Sequence, residues 1–292
     1  MIITKIIGGL GNQMFQYATG LSLAKKNNTD LLIDKKAFDK VDIHNGYELE
    51  RVFDIKIKEA KDLEINKIIG LNRYNLYTKI SNLLPLKFNQ KNYFQEKGVS
   101  FNENFLNIKD DSYIYGHWQS ENYFLEYENL IKKKFKFKKT LTSKNLYFAD
   151  LIKKIPNSVS IHIRRGDYID TTNNKSIYAD CTHGYYELAT KELEKKIKHP
   201  TYFIFSDDSN WVKKNLSFKQ KHYFVDHNSN FNSYCDMHLM SLCNHNIIAN
   251  STFSWWSAWL NSNKQKIVIS PKKWFSVDLD SSTIVPKKWL RV

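Results

Sequence analysis

"VSIHIRRGDYI", Val159 to Ile169, is an apolar run that ends in two arginines, a glycine and an aspartate. The apolar part reads as a buried strand, and strand side chains point alternately to two faces. His162 and Arg164 therefore share one face, and Arg165 lies on the other with Ile161 and Ile163. Gly166 permits a sharp turn and close approach of a ligand to the backbone. Two permanent cations at the mouth of a buried strand suit a diphosphate, because a planar guanidinium makes two hydrogen bonds at once. Each charged hydrogen bond of this kind contributes roughly 1.5–3 kcal/mol. The alternative is that both arginines pair with Asp167 or with other acids.

The pattern continues on the C-terminal side. YYELATKELEKKIK has helical spacing and is closed by His199-Pro200. TYFIFSDD, HYFVDHN, NIIANS and KIVIS read as strands, and DSNWVKKNL, YCDMHLMSLCNH and TFSWWSAWLNS as the helices between them. Five strands alternating with four helices predict a doubly wound parallel sheet. Ligands of such sheets bind beyond the carboxyl ends of the strands. Those ends carry His162, Arg164, Arg165 and Asp167, then Ser206, Asp207 and Asp208, then Asp226 and His227, then Asn250, Ser251 and Thr252. Packing alone does not explain why polar groups collect at one edge. Ser251, Thr252 and Ser254 fall at a helix start, where free N–H groups and the helix dipole favour an anion. Trp255 and Trp259, one helical turn apart, read as core. Asp236, in the first turn of the preceding helix, either stabilises that helix or accepts N–H donors from a guanine edge; spacing alone favours the former.

The N-terminal IITKIIGG reads as a strand, LGNQMFQYATGLSLAKKNN as a helix with Met14, Tyr17, Ala18, Leu21 and Ala24 on one stripe, and DLLID as a second strand. Together they form a βαβ unit. Gly9 and Asn12 lie where its first strand turns into its helix. As a phosphate cradle GGLGN lacks both the full dinucleotide fingerprint and the Lys-Ser/Thr of a P-loop, so a tight turn is the competing reading. AKDLEINKIIGLNRYNLY reads as helical, and DSYIYGHWQS as a strand with a polar end. The boundary between two domains is placed near KKKFKFKK (Lys132 to Lys139) and Thr140 to Asn145, giving 1–140 and 141–292.

The 292 residues, 42% hydrophobic, suffice for two cores. No apolar run approaches the roughly 20 residues of a spanning helix, and MIITKIIGGLG is no secretory signal, so a cytosolic protein is expected. Cys181, Cys235 and Cys243 show no metal spacing and are expected to be reduced thiols. The net charge of +14 fits nucleic acid, a membrane surface or an anionic substrate. KKKFKFKK is either a solvated linker or a contact with anionic lipid. Asp278-Leu279-Asp280 formally matches a DxD metal motif but follows no apolar strand.

"GGLGNQMFQYA", "HIRRGDY" and "DMHLMSLCNHNIIANSTFSWWSAWL", in that order, closely resemble glycosyltransferase family 11, the α-1,2-fucosyltransferases. The resemblance spans roughly residues 1–30 and 110–275. It implies an α/β GT-B fold of two Rossmann-like domains facing across a cleft, the N-terminal one on the acceptor side and the C-terminal one binding the donor. The implied donor is GDP-β-L-fucose, transferred with inversion and without a metal to the 2-hydroxyl of a galactose in a cell-surface glycan such as an O-antigen. Arg164 is implied to hold the β-phosphate, with Arg165 beside it, and His162 to contact the nucleotide. Asp236 is implied to read guanine, and Ser251, Thr252, Phe253 and Ser254 to line the phosphate pocket next to Asn250. Gly9 and Asn12 belong to the first loop, where Asn12 would face fucose and acceptor. Inversion calls for a base near the acceptor hydroxyl. Asp167 is the candidate, the alternative being that it only orients the arginines; Glu121 and His117 stand behind it. The rival readings are a fucosyltransferase acting on a peptide or chitin oligosaccharide, and a basic RNA-binding protein. The latter needs aromatic and basic residues interleaved on an exposed face. Here the aromatics fall in predicted core helices, so no nucleic-acid partner is expected. A peripheral position on the cytosolic membrane face is expected from the charge and the resemblance.

Overall fold

A computed structural model of the chain describes residues 1–39, 45–70, 92–165, 181 and 183–292, and the statements below refer to these. The chain forms two compact units, Met1–Lys136 and Phe137–Val292, dividing inside the lysine run.

In the first unit the predicted βαβ start is realised as β1 (Ile2–Lys5), α1 (Leu10–Lys26) and β2 (Leu31–Asp34). Then follow α2 (Leu49–Val52), β3 (Lys58–Glu59), α3 (Asp62–Ile69), β4 (Tyr93–Gln95), β5 (Ser112–Tyr115) and α4 (Glu128–Lys134). The sheet order is β3-β2-β1-β5-β4, and every pairing is parallel. The chain builds outward from β1 through β2 and β3, then fills the other side of β1. The order therefore reverses between β1 and β5. The N-terminal part of the helical reading at 60–77 is α3; the rest lies outside the described residues. One expectation is corrected. α1 is not a stripe helix but is buried nearly all round, with Gln13, Gln16, Thr19 and Ser22 inside along with its apolar residues. The two glutamines are tolerated there because their amides are hydrogen-bonded to backbone.

The second unit runs α5 (Ser143–Lys154), β6 (Ser158–Ile163), α6 (His183–Glu194), β7 (Thr201–Ser206), α7 (Ser209–Asn215), β8 (His222–Val225), α8 (Tyr234–Leu242), β9 (His245–Ile247), α9 (Thr252–Leu260), β10 (Val268–Ser270) and β11 (Leu290–Arg291). All pairings are parallel, in the order β11-β10-β9-β6-β7-β8. The sequence reading missed β11, because a two-residue strand carries no periodicity. Every residue of β6 is buried, as a central strand covered on both faces requires. Val159, Ile161 and Ile163 pack with Tyr186, Ala189 and Leu193 of α6 on one face. Phe203 and Phe205 of β7 pack with Phe148 of α5 and Leu239 of α8 on the other. Trp255, Trp256 and Trp259 are buried, and their rings stack or meet edge to face.

Candidate functional site

β6 and β9 lie side by side, yet the chain leaves them in opposite directions across the sheet. That makes the crevice beyond their carboxyl ends a topological switch point, where open α/β sheets bind ligands. The end of β6 delivers His162, Arg164 and Arg165; the end of β9 delivers Asn250 and Ser251 and starts α9. Gly166 and Asp167 lie outside the described residues.

The two arginines are held by the next strand. The Asp207 carboxylate accepts the backbone N–H of Arg165 at 2.9 Å and pairs with the Arg164 guanidinium at 3.0 Å. The Arg165 guanidinium lies 3.4 Å from the centroid of the Trp211 ring and 3.5 Å from Asp208. Asp208 also caps α7, accepting the Trp211 N–H at 3.1 Å. Thus the alternative of acid-paired arginines is realised in part, through Asp207 and Asp208. The pairs are local: they keep both cations at the edge of β6, and both side chains stay partly exposed.

His162 is buried, and its Nδ1 has no hydrogen-bond partner. Burial, reinforced by the Arg164 charge, holds its pKa down to about 3. The imidazole is therefore neutral near pH 7, a hydrogen-bonding group and not a cation. The Phe253 ring lies 5.7 Å from it. Ser251 is the N-cap of α9 in extended backbone and makes no side-chain cap bond, so its side chain does not satisfy the first turn's N–H groups. Thr252 and Phe253 are half-buried. Two other predicted residues look inward. Ser254 donates to the Ser251 carbonyl at 3.3 Å, and Asn250 donates to the Trp274 carbonyl at 2.9 Å while accepting from Cys181.

Asp236 sits in a polar network. Its Oδ1 accepts from Asn228 at 2.7 Å, Asn228 and Asn145 exchange reciprocal amide bonds of 2.8 Å, and His227 meets Asn145 at 2.9 Å. Burial pushes the Asp236 carboxyl up to about 7, against the lowering effect of the Asn228 bond. Asp226, at the same sheet edge, is engaged by Lys213 at 2.6 Å.

The first unit has its own edge site between β1 and β5. Gly8, with φ +74°, makes the turn after β1, and a Cβ there would stand 2.9 Å from the Asn12 amide. Gly9 is the N-cap of α1. Asn12 accepts from Gln119 at 3.0 Å, which ties the first turn of α1 to the loop after β5. Sequence reasoning missed the two glutamines that build this turn. Gln13 donates to Gly8 and Gly46, each at 2.8 Å, and accepts from Glu48 at 2.9 Å. Gln16 accepts from Ile7 at 2.9 Å and donates to Gly116 at 3.2 Å. Their signal was two amides spaced three apart in an otherwise apolar helix. Glu121 is buried in a 3-10 turn, Glu121–Tyr123, and His117 is exposed. Among the described residues no three His, Cys, Asp or Glu side chains group to hold a metal, and no helix is long and apolar enough to cross a membrane.

A model of the family described as glycosyl transferase family 11 matches residues 1–291. An α-1,2-colitosyltransferase of Escherichia coli is 33% identical over 300 residues, covering 100% of this chain and 99% of that protein. The O-antigen biosynthesis glycosyltransferase WbnK, also of Escherichia coli, is 32% identical, covering 98% of each chain. Galactoside alpha-(1,2)-fucosyltransferase 1 of Mus musculus is 24% identical over 87% of this chain and 61% of its own length. Among solved structures, that of the α-1,6-fucosyltransferase NodZ soaked with GDP-fucose matches with a TM-score of 0.50 at 15% identity, covering 89% of this chain and 91% of that one. The likeness is one of fold: α/β units on parallel sheets, of the GT-B class.

Proposed function

The chain belongs to glycosyl transferase family 11, and from that premise we propose that it transfers L-fucose from GDP-β-L-fucose to the 2-hydroxyl of a terminal β-galactoside in a cell-surface glycan. Transfer proceeds with inversion and needs no metal. The observation that carries this reading is the convergence of Arg164, Arg165 and the N-terminal turn of α9 at the switch point between β6 and β9. As the C1–O bond of the donor breaks, negative charge grows on the departing diphosphate. Fixed donors aimed at that charge lower the barrier without reorganising. Arg164 and Arg165 supply guanidinium donors, and Ser251, Thr252 and the α9 backbone supply neutral ones. His162 contacts the nucleotide as a neutral imidazole, while Asp236 accepts from guanine. Asp167 takes the proton of the acceptor hydroxyl, and Asn12 orients the acceptor. The names of the mouse relative and of WbnK support the linkage and the O-antigen class of acceptor.

The colitosyltransferase relative favours a second donor, GDP-colitose, whose sugar is L-fucose without its 3-hydroxyl. A site built to hydrogen-bond that hydroxyl would reject colitose by about 10⁴-fold, whereas a pocket without such a partner would discriminate weakly. The test incubates the protein with GDP-fucose or GDP-colitose and a panel of galactosides, with and without EDTA, and reads the product linkage by NMR. An α-1,2-linked product at an undiminished rate in EDTA is expected. No transfer from either donor, another linkage, or loss of activity in EDTA would refute the corresponding part.

A further inference from the structure

Past the carboxyl ends of β4 and β5 the first unit carries a half-open cavity of about 250 Å³ that the mechanism above does not use. Its wall is aromatic, with Phe94, Phe105, Trp118 and Tyr123 facing it. Phe105, Trp118 and Tyr123 pack with centroids 4.6 to 5.3 Å apart, so the wall is rigid. Glu96 and the exposed Asn104 are also in the lining.

Two independent features mark Trp118. Its backbone is left-handed, with φ +55°, a conformation that strains a bulky residue and tends to persist at ligand clamps. It is held there by Glu96, which accepts the N–H of His117 at 2.6 Å and that of Trp118 at 3.0 Å. The Trp118 indole is buried, and its Nε1–H has no hydrogen-bond partner. An orphaned buried N–H costs about 1–3 kcal/mol, and the residue that carries it stands in the cavity wall. Gly116 makes the approach of Glu96 feasible, since a Cβ there would lie 2.4 Å from the Glu96 side chain.

We propose that this cavity is a second sugar subsite, taking the neutral hexopyranose next to the galactose that is modified. The inference rests on the galactoside reading above. The volume fits one pyranose ring and falls below the 300–1,000 Å³ of pockets for larger ligands. Aromatic faces match the C–H face of a pyranose, and the carboxylate and amide match its equatorial hydroxyls. Glu96 and Lys97 both line the cavity and carry opposite charges, so the lining has no net charge and suits a neutral ligand. The cavity adjoins the acceptor edge, because the loop that carries Trp118 also carries Gln119, which bonds Asn12.

The test compares methyl β-galactoside with methyl β-lactoside as acceptors, in the native protein and in Asn104→Ala and Phe94→Ala. The native protein is expected to prefer the lactoside about tenfold through KM, and each variant to bring that ratio close to one. Equal use of both acceptors by the native protein, or a preference that both variants keep, overturns the proposal. If neither acceptor is turned over, saturation-transfer NMR with methyl β-lactoside alone still decides. Saturation of the glucose ring that both variants abolish supports the subsite while sinking the galactoside reading; no glucose signal in the native protein sinks the subsite.

Discussion

Asp207 governs the candidate phosphate site, because one carboxylate fixes both arginines. It accepts from the Arg165 backbone and neutralises Arg164. A diphosphate must compete with it for the same guanidinium. Asp207→Asn keeps an oxygen for the Arg165 N–H but removes the competing charge, so GDP affinity measured by calorimetry is expected to rise about three- to tenfold. Arg164→Ala is expected to lower kcat/KM for the nucleotide sugar by about 10²-fold or more, the usual loss when one transition-state donor is removed. A native rate would contradict the leaving-group role. Asp236 supplies the pH dependence. Its folded pKa is raised to about 7, so the folded protein holds this proton up to about pH 7 and the unfolded chain does not. For this group, then, stability falls as pH rises from about 4 to 7. Guanine N–H donors need the ionised carboxylate, so GDP affinity moves the other way. It should be roughly tenfold weaker at pH 6 than at pH 8, with the slope abolished in Asp236→Asn. A slope that survives the substitution would assign the titration elsewhere.

At the scale of elements, the turns after β1 and β5 are held open by amides from α1. Gln16 is fully buried and joins Ile7 to Gly116. Gln16→Leu keeps the volume but orphans an N–H and a carbonyl, at about 1–3 kcal/mol for each. Urea unfolding is expected to show a loss of about 2–4 kcal/mol, and a loss below about 0.5 kcal/mol would show that the clamp is dispensable. α1 can lie this close to the sheet because of Gly20, whose added Cβ would meet Leu31 at 2.9 Å and Thr4 at 3.0 Å. Gly20→Val is therefore expected to destabilise by about 1–3 kcal/mol through overpacking, despite removing a helical glycine. Most strands and helices of the second unit were legible in the sequence because apolar runs alternate with helical spacing, whereas α5 and β11 were not assigned. α1 was misjudged as amphipathic, since buried glutamines look like a solvent face until their backbone partners are known.

Over the whole molecule, two features set behaviour: each unit has its own parallel sheet and switch point, and the chain carries +14. The lysines of 132–139 lie at the division between units, and Lys133, Lys136, Lys138 and Lys139 are exposed. A surface of this sign is expected to bind vesicles rich in phosphatidylglycerol at low ionic strength. It should release them at about 0.5 M salt, where the Debye length falls to roughly 4 Å. Cosedimentation checks this; indifference to vesicle charge would remove the membrane surface from the proposed setting.

Local pattern alone determined that the C-terminal half is an alternating α/β unit with its polar residues gathered at strand ends, because periodicity and turn chemistry act over a few neighbouring residues. The same locality made the ordered motifs readable as family 11. Only the tertiary structure decided that β6 lies beside β9, so that Arg164 and the start of α9 flank one crevice. It alone decided that the arginines rest on Asp207, Asp208 and Trp211, and that Trp118 closes an aromatic cavity around a left-handed turn. Those facts depend on contacts between residues some five to ninety positions apart, and no local propensity encodes which strand or side chain becomes the neighbour.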